Sequence, residues 1–205
     1  MAGMNWRAGG REGRPTPKDS WRTPPELYAR LDEEFHFGLD AACTRENCLA
    51  PAGLYDGEYD ALAVPWVGFG AVWLNPPYSN VRPWLRKARE AGRRVPVVCL
   101  VTSDTGCRWW QEYVAVDASE VRFLVGRMRF LRPDGTTNAS RSSRGEVARA
   151  SALVVYGPAG GPPRYSYMET RIAPQKRLAL AADESIEFRR GYDHQTGGWT
   201  LEVKG

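Results

Sequence analysis

The sequence is poor in metal-binding residues and has no long apolar run. Its 205 residues include only two histidines, His36 and His194, and four cysteines, none of them in a C-x-x-C pair. We therefore predict that the protein holds no metal. Because the chain also shows no signal peptide and no apolar run of membrane-spanning length, we predict no membrane partner and a cytoplasmic location.

Positive charge exceeds negative charge modestly, and arginine supplies most of it. The formal net charge is +4 and the isoelectric point is about 9.0, which favours a polyanionic partner such as nucleic acid. Arginine suits bidentate phosphate contacts better than lysine. Residues 1–18 are rich in Gly, Arg and Pro and have little to bury, so we predict a disordered basic N-terminal arm.

The rest of the chain alternates between helix-like and strand-like segments. We predict that one helix begins at Thr23, which would act as its N-cap with Glu26 completing a capping box. A second amphipathic helix begins at Val81 and is closed by Gly92. The strand-like segments are FHFGL, GAVWL, VPVVCLV, VRFLV and SALVVY. This alternation predicts an α/β fold with a mostly parallel, doubly wound sheet.

The chain is expected to divide after Gly157. Residues 19–157 hold the alternating helices and strands and are predicted to form the main domain. Residues 158–205 are predicted to form a C-terminal extension, in which IEFRRGYDHQTGGWTLEV has the pattern of a β-hairpin.

An acid and an amide follow two of the strand-like segments. Asp40 follows FHFGL and Asn75 follows GAVWL, and ligands of open parallel sheets bind beyond such strand ends. Pro76 and Pro77 remove two N–H donors, so the turn presents mainly acceptors. The Asn75 side-chain oxygen and the Pro76 carbonyl would together accept both hydrogens of one amino group, while Tyr78 lies against an aromatic ring. The turn therefore suits an exocyclic base amine, although a rigid loop with a packing tyrosine has the same letters.

Several motifs, in this order, resemble the phage-type DNA N6-adenine methyltransferase family. They are DSWRTP, FGLDAACTRENC, YDALAVPW, VWLNPPYS and GRMRF, and the resemblance as a whole covers Asp19 to Tyr156. The resemblance implies a compact Rossmann-like methyltransferase fold over residues 19–157 and S-adenosylmethionine as cofactor. It also implies a phage or prophage gene product that acts in the bacterial host cell and transfers a methyl group to adenine N6 in DNA.

The resemblance also implies roles for individual residues. The catalytic residues would be Asn75, Pro76, Pro77 and Tyr78. The cofactor-binding residues would be Trp21, Thr23, Pro24, Asp40, Ala41, Ala42, Asp60 and Asn75. Among these, Thr23-Pro24 would hold the methionine carboxylate, Asp40 the ammonium group, and Asp60 the ribose or adenine end.

Double-stranded DNA is the predicted partner, and its target base must leave the helix to reach the turn. A long polar segment, residues 132–149, is a candidate DNA contact because a loop of this length in a compact domain is usually functional. The predicted DNA-binding residues, in and near this segment, are Arg127, Arg129, Arg141 and Arg144.

Other functions stay open on the sequence alone. Cytosine N4 presents the same kind of amine, and some protein glutamine methyltransferases share the Asn-Pro-Pro-Tyr motif. A non-catalytic nucleic-acid-binding module that keeps the fold is an alternative of a different class. Methylation at carbon 5 of cytosine is excluded because it needs a cysteine, usually after a proline, and no cysteine here follows a proline.

Overall fold

The computed structural model describes only part of the chain in full. The described residues are 19, 21–126, 128, 130, 131, 150–158 and 162–170, with the backbone alone of 187–193 and 198–204. The predicted basic arm, residues 1–18, lies outside them, as do the predicted DNA-binding residues Arg127, Arg129, Arg141 and Arg144. The chain forms two compact units, Met1–Thr170 and Arg171–Gly205.

The first unit is built on one sheet. Its helices are α1 (Pro25–Phe35) and α2 (Val81–Gly92), and a short π-helical segment covers Trp110–Val114. Its strands are β1 (Phe37–Cys43), β2 (Ala52–Tyr55), β3 (Ala71–Leu74), β4 (Val97–Thr102), β5 (Glu120–Val125), β6 (Ser151–Tyr156) and β7 (Arg164–Glu169). The strand order across the sheet is β2-β1-β3-β4-β6-β5-β7.

Most neighbouring strands are parallel, which confirms the predicted sheet. β2, β1, β3 and β4 run parallel to one another, and so do β5 and β7, whereas β6 is antiparallel to both of its neighbours. From β1 the chain adds β2 on one side and then crosses to add β3 on the other. The direction of winding thus reverses between β1 and β3, and open sheets bind ligands in the crevice at such a reversal.

Side chains of the sheet alternate between two apolar layers, one on each face. Along β3, Trp73 packs in the layer that contains Tyr28 of α1, while Val72 and Leu74 pack with Trp84 of α2. This alternation follows from the two-residue repeat of a strand. The central strands β3, β4 and β6 are buried along their whole length, because helices cover both faces there.

The start of α1 differs from the prediction. Pro24, not Thr23, is the N-cap residue, Pro25 occupies the first helical position, and no side chain caps the helix. The reason is steric: a residue before a proline is pushed out of the helical region, and Pro24 itself precedes Pro25 with ψ of 130°. The helix therefore cannot begin before Pro25, and the predicted capping box is wrong.

The end of the chain contains a two-stranded antiparallel pair, as the hairpin pattern predicted. β8 (Glu187–Asp193) pairs with β9 (Gly198–Lys204) over seven residue pairs. β7 was not predicted, and because it pairs with β5 it extends the first compact unit to Thr170. The predicted division after Gly157 stays a prediction. In the described part of the chain, neither helix combines the length and the apolar character that crossing a membrane requires.

Candidate active site

A cavity of about 300 Å³ lies where the strand order reverses between β1 and β3. Its walls come from the segment before α1, from β1 with its following loop, and from the end of β3. The lining residues are Asp19, Trp21, Arg22, Thr23, Pro25, Asp40, Ala42, Cys43, Thr44, Glu46, Asn47, Cys48, Leu49, Trp73, Asn75 and Leu131. Small-molecule sites in proteins measure about 300 to 1,000 Å³, so the cavity has the size of a cofactor pocket.

Asp40 is a buried acid inside β1 rather than a residue that follows the strand. Only 3% of it is exposed. Its Oδ1 accepts a hydrogen bond from the Ala42 N–H at 3.3 Å, and its Oδ2 accepts one from the Leu49 N–H at 3.2 Å. Burial raises the pKa of Asp40 to about 7, although these two N–H donors favour the carboxylate and oppose the rise. A cationic ligand group would complete the site, because among the described residues no cation pairs with this acid.

Asn75 follows β3 directly, and both ends of its carboxamide are held. Its Nδ2 donates to the Trp21 carbonyl at 3.2 Å, and its Oδ1 accepts from the Tyr78 hydroxyl at 2.9 Å. The turn's rigidity comes from Pro76 and Pro77, which are both buried. Because an amide oxygen has two lone pairs, Oδ1 keeps one acceptor position beyond the bond from Tyr78.

Tyr78 is half-buried and turns its hydroxyl inward. Besides Asn75, the hydroxyl reaches the Leu100 carbonyl at 3.3 Å. The ring meets Phe130 edge-on, with centroids 5.8 Å apart and planes at 72°. Burial raises the pKa of the Tyr78 hydroxyl, so it is a neutral donor here. The hydroxyl therefore orients Asn75, a contact that the letters Asn-Pro-Pro-Tyr did not reveal.

The segment before α1 is bonded to the residue after this turn and to the isolated bridge residue Leu131. The Ser79 N–H donates to Asp19 Oδ1 at 3.0 Å. Arg22 and Leu131 exchange two backbone hydrogen bonds, at 2.8 and 3.0 Å, and the Trp21 ring lies 5.6 Å from that of Phe130. Residues far apart in the chain thus form one wall of the cavity.

The structure brings five predicted cofactor-binding residues to the cavity, namely Trp21, Thr23, Asp40, Ala42 and Asn75. Three others do not line it. Pro24 caps α1, its carbonyl accepting from the Leu27 and Tyr28 N–H groups. Ala41 is buried in the apolar layer on the α2 side, and Asp60 accepts the Leu62 N–H at 3.1 Å in a turn after β2.

The end of β1 and the loop that follows it contribute lining residues that had been given no individual role at the site. Those residues are Cys43, which ends β1, and Thr44, Glu46, Asn47, Cys48 and Leu49 of the loop. The loop closes on itself, because the Thr44 N–H donates to Asn47 Oδ1 at 2.6 Å. Arg22 was missed as well. The signal that could have indicated the loop residues is the loop's position, because a polar loop follows β1 directly at the edge of the sheet where ligands bind.

The fold and this cavity together define the class of Rossmann-like methyltransferases. The sequence pattern of one family, described as DNA N-6-adenine-methyltransferase (Dam), matches residues 13–169. The chain therefore belongs to the DNA N-6-adenine-methyltransferase family.

Two phage proteins described as DNA N-6-adenine-methyltransferase are similar to the chain. The protein of Escherichia phage T1 is 33% identical over 97 residues, which are 46% of this chain and 40% of that protein. The protein of Haemophilus phage HP1 (strain HP1c1) is 24% identical over 145 residues, which are 69% of this chain and 80% of that protein. The chain thus spans less than half of the phage T1 relative.

Proposed function

We propose that the protein transfers a methyl group from S-adenosylmethionine to the N6 amino group of an adenine flipped out of double-stranded DNA. One observation carries the proposal: the buried Asp40 and the oriented amide of Asn75 line the same cavity. Family membership supports adenine in DNA as the substrate. A phage-encoded protein of this kind would act in the cytoplasm of the bacterial host.

The cavity suits the charged end of this cofactor, which supplies an electrophilic methyl group when bound. Asp40 would hold the ammonium group, because a buried acid with two N–H donors and no cationic partner among the described residues gains most from a cation. The cavity, at about 300 Å³, is at the lower end of the range of small-molecule sites. Asn47 and Glu46 line the same cavity and offer further polar contacts.

The carboxylate of the cofactor's methionine portion would contact the segment before α1. The start of the helix itself, however, has few free backbone N–H donors. Pro24 and Pro25 have no N–H, and the Leu27 and Tyr28 N–H groups already donate to the Pro24 carbonyl. The predicted anion site at this helix start is therefore weak. Thr23 and Arg22 both line the cavity, so their side chains are the better partners for a carboxylate.

The target amine would meet Asn75. Its Oδ1 has one free acceptor position, and the anchoring of Nδ2 by the Trp21 carbonyl keeps the amide from turning over. An exocyclic amine is a poor nucleophile because its lone pair is delocalised into the ring. Accepting its hydrogens at Asn75 Oδ1 and the Pro76 carbonyl frees that lone pair, and the amine proton becomes acidic as the new bond forms.

DNA contacts are proposed for Arg127, Arg129, Arg141 and Arg144, all outside the described residues. Replacing Arg141 and Arg144 together with glutamine should weaken DNA binding and reduce the slope of log affinity against log salt concentration by roughly one to two. A filter or anisotropy titration at several salt concentrations measures this slope. An unchanged slope would mean that the two side chains do not neutralise phosphates.

The function is tested by incubating DNA with methyl-labelled S-adenosylmethionine and analysing the nucleosides. We expect label in N6-methyladenine from the wild-type protein, and label that accumulates roughly 10²–10³ times more slowly from Asn75→Ala. Label in N4-methylcytosine would favour the alternative amine. Cofactor and DNA binding without any label would favour a non-catalytic module and would contradict the proposal.

A further inference from the structure

Three potential metal ligands meet on one wall of the cavity. A carboxylate oxygen of Asp40 and the sulfurs of Cys43 and Cys48 all lie within 4.8 Å of one another. All three residues line the cavity, so a dissolved ion can reach them. Cys43 and Asp40 are buried, whereas Cys48 is half-buried.

The fold brings the two cysteines together although four residues separate them. Cys43 ends β1, and the pairing of β1 with β2 shifts register between Asp40 and Cys43. The loop then turns back, because the Thr44 N–H binds Asn47 Oδ1 and the Leu49 N–H binds Asp40 Oδ2. Cys48 is thereby returned to the side of Cys43.

Gly53 in β2 provides the space for both sulfurs. A Cβ atom built on this glycine would lie 2.6 Å from the Cys48 sulfur and 2.7 Å from the Cys43 sulfur. Any side chain at this position would therefore push the sulfurs out of place. The Cys48 sulfur lies 3.4 Å from the Ala50 carbonyl and 3.8 Å from the Ala52 carbonyl, and thiols are weak donors.

We propose that Asp40, Cys43 and Cys48 bind one thiophilic divalent cation of the Zn²⁺ class. Two thiolates and a carboxylate suit Zn²⁺ and exclude Mg²⁺ and Ca²⁺, which take oxygen ligands. With metal–sulfur bonds of about 2.3 Å, two sulfurs on one tetrahedral ion are about 3.8 Å apart, which is compatible with three ligand atoms that all lie within 4.8 Å of one another. On binding, each thiol releases one proton to the solvent and each sulfur forms one bond to the metal.

The proposed site departs from the expectation that the protein holds no metal, and it would have a consequence for the cofactor. The fourth coordination position would open into the cavity, where water would occupy it. Asp40 cannot bind a metal and the cofactor ammonium at the same time. If the proposed function is right, an ion at this site competes with S-adenosylmethionine and inhibits the enzyme.

Co²⁺ is a suitable probe, because thiolate ligation gives it ultraviolet charge-transfer bands and visible bands of tetrahedral coordination. The full chain, kept reduced with a phosphine, is titrated with Co²⁺ and then with Zn²⁺. We expect one Co²⁺ per chain and loss of the bands when Zn²⁺ displaces it. Cys48→Ser and Asp40→Asn should each weaken Co²⁺ binding at least tenfold, whereas Cys107→Ser, whose thiol is exposed and outside the cavity, should bind as wild type does.

Thermal melting of each variant checks that the fold survives, and Cys43→Ser provides a second loss-of-thiol variant. Absence of thiolate bands in the wild type would overturn the proposal. So would bands in Cys48→Ser and Cys43→Ser that are as strong as those of the wild type. Competition is measured separately, by calorimetric binding of S-adenosylhomocysteine with and without saturating Zn²⁺. An affinity for S-adenosylhomocysteine that Zn²⁺ does not change would contradict the proposed competition. The Co²⁺ titration needs neither cofactor nor activity, so its failure and failure of the proposed function are distinguishable.

Discussion

The ends of β1 and β3 lie side by side in the sheet, yet they hold their polar groups differently. Near the end of β1, the charged Asp40 is buried, held by two backbone N–H groups at 3.2 and 3.3 Å. After β3, the neutral Asn75 is fixed by two prolines and by partners at both ends of its amide. Among the described residues no cation pairs with Asp40, while the amide oxygen of Asn75 keeps one free acceptor position.

This difference assigns separate tasks to the two strand ends. A buried acid whose pKa is raised to about 7 contributes most when a cation arrives with the ligand. A fixed amide oxygen contributes most where positive charge develops during a reaction, because its orientation needs no rearrangement. Changes at β1 should therefore act on cofactor affinity, and changes at β3 on the rate of methyl transfer.

The largest expected effect is at β1. Asp40→Asn keeps the shape but removes the charge, and losing one partner of a buried charge pair costs about 2–5 kcal/mol. Calorimetry at pH 8, above the pKa of about 7, should show S-adenosylhomocysteine binding weakened by a factor of roughly 30 to 5,000. Glu90→Gln is the matched control, because Glu90 is exposed on α2 and does not line the cavity. Equal losses in both variants would place the ammonium site elsewhere.

The next effect is at β3. Asn75→Ala removes the oriented acceptor, so the single-turnover rate at saturating cofactor should fall by a factor of roughly 10²–10³, or about 2.7–4 kcal/mol. Affinity for S-adenosylhomocysteine should change little. A near-normal rate would show that the turn is only a scaffold, in which case the proposed chemistry fails.

A smaller effect is expected from the hydroxyl that orients Asn75. Tyr78→Phe keeps the ring but removes the 2.9 Å hydrogen bond, worth about 0.5–1.5 kcal/mol, so the single-turnover rate should fall roughly 2- to 12-fold. In the Asn75→Ala background, the same change should cost nothing further, because its partner is already gone. An equal cost in both backgrounds would mean that the hydroxyl acts independently of Asn75.

Much of this sheet was predictable because its strands are apolar and its second helix is amphipathic. The buried face of α2 is formed by the residues that its periodicity indicated, including Trp84 and Leu85. β2 and β7 were not predicted, for two different reasons. β2 is only four residues long and contains Gly53, while β7 is almost wholly exposed and has no apolar pattern.

The site was predictable only in part. The strand ends placed Asp40 and Asn75 on one edge, but the bond from Asn75 to Trp21 joins residues 54 positions apart. No local pattern carries such a contact. The start of α1 was misplaced because capping preferences were applied to Thr23, whereas the restriction that Pro25 imposes on Pro24 decides the boundary. The proximity of the Cys43 and Cys48 thiols depends on a shift in the β1–β2 register that the sequence does not show.

The division of tasks between the two strand ends is tested most directly by single-turnover methylation across a series of S-adenosylmethionine concentrations. Asp40→Asn should reach nearly the wild-type rate once the cofactor concentration is raised far enough. Asn75→Ala should saturate at the wild-type cofactor concentration and stay roughly 10²–10³ slower. If excess cofactor restored Asn75→Ala, or if Asp40→Asn stayed equally slow at saturation, the two strand ends would not have the separate roles assigned to them.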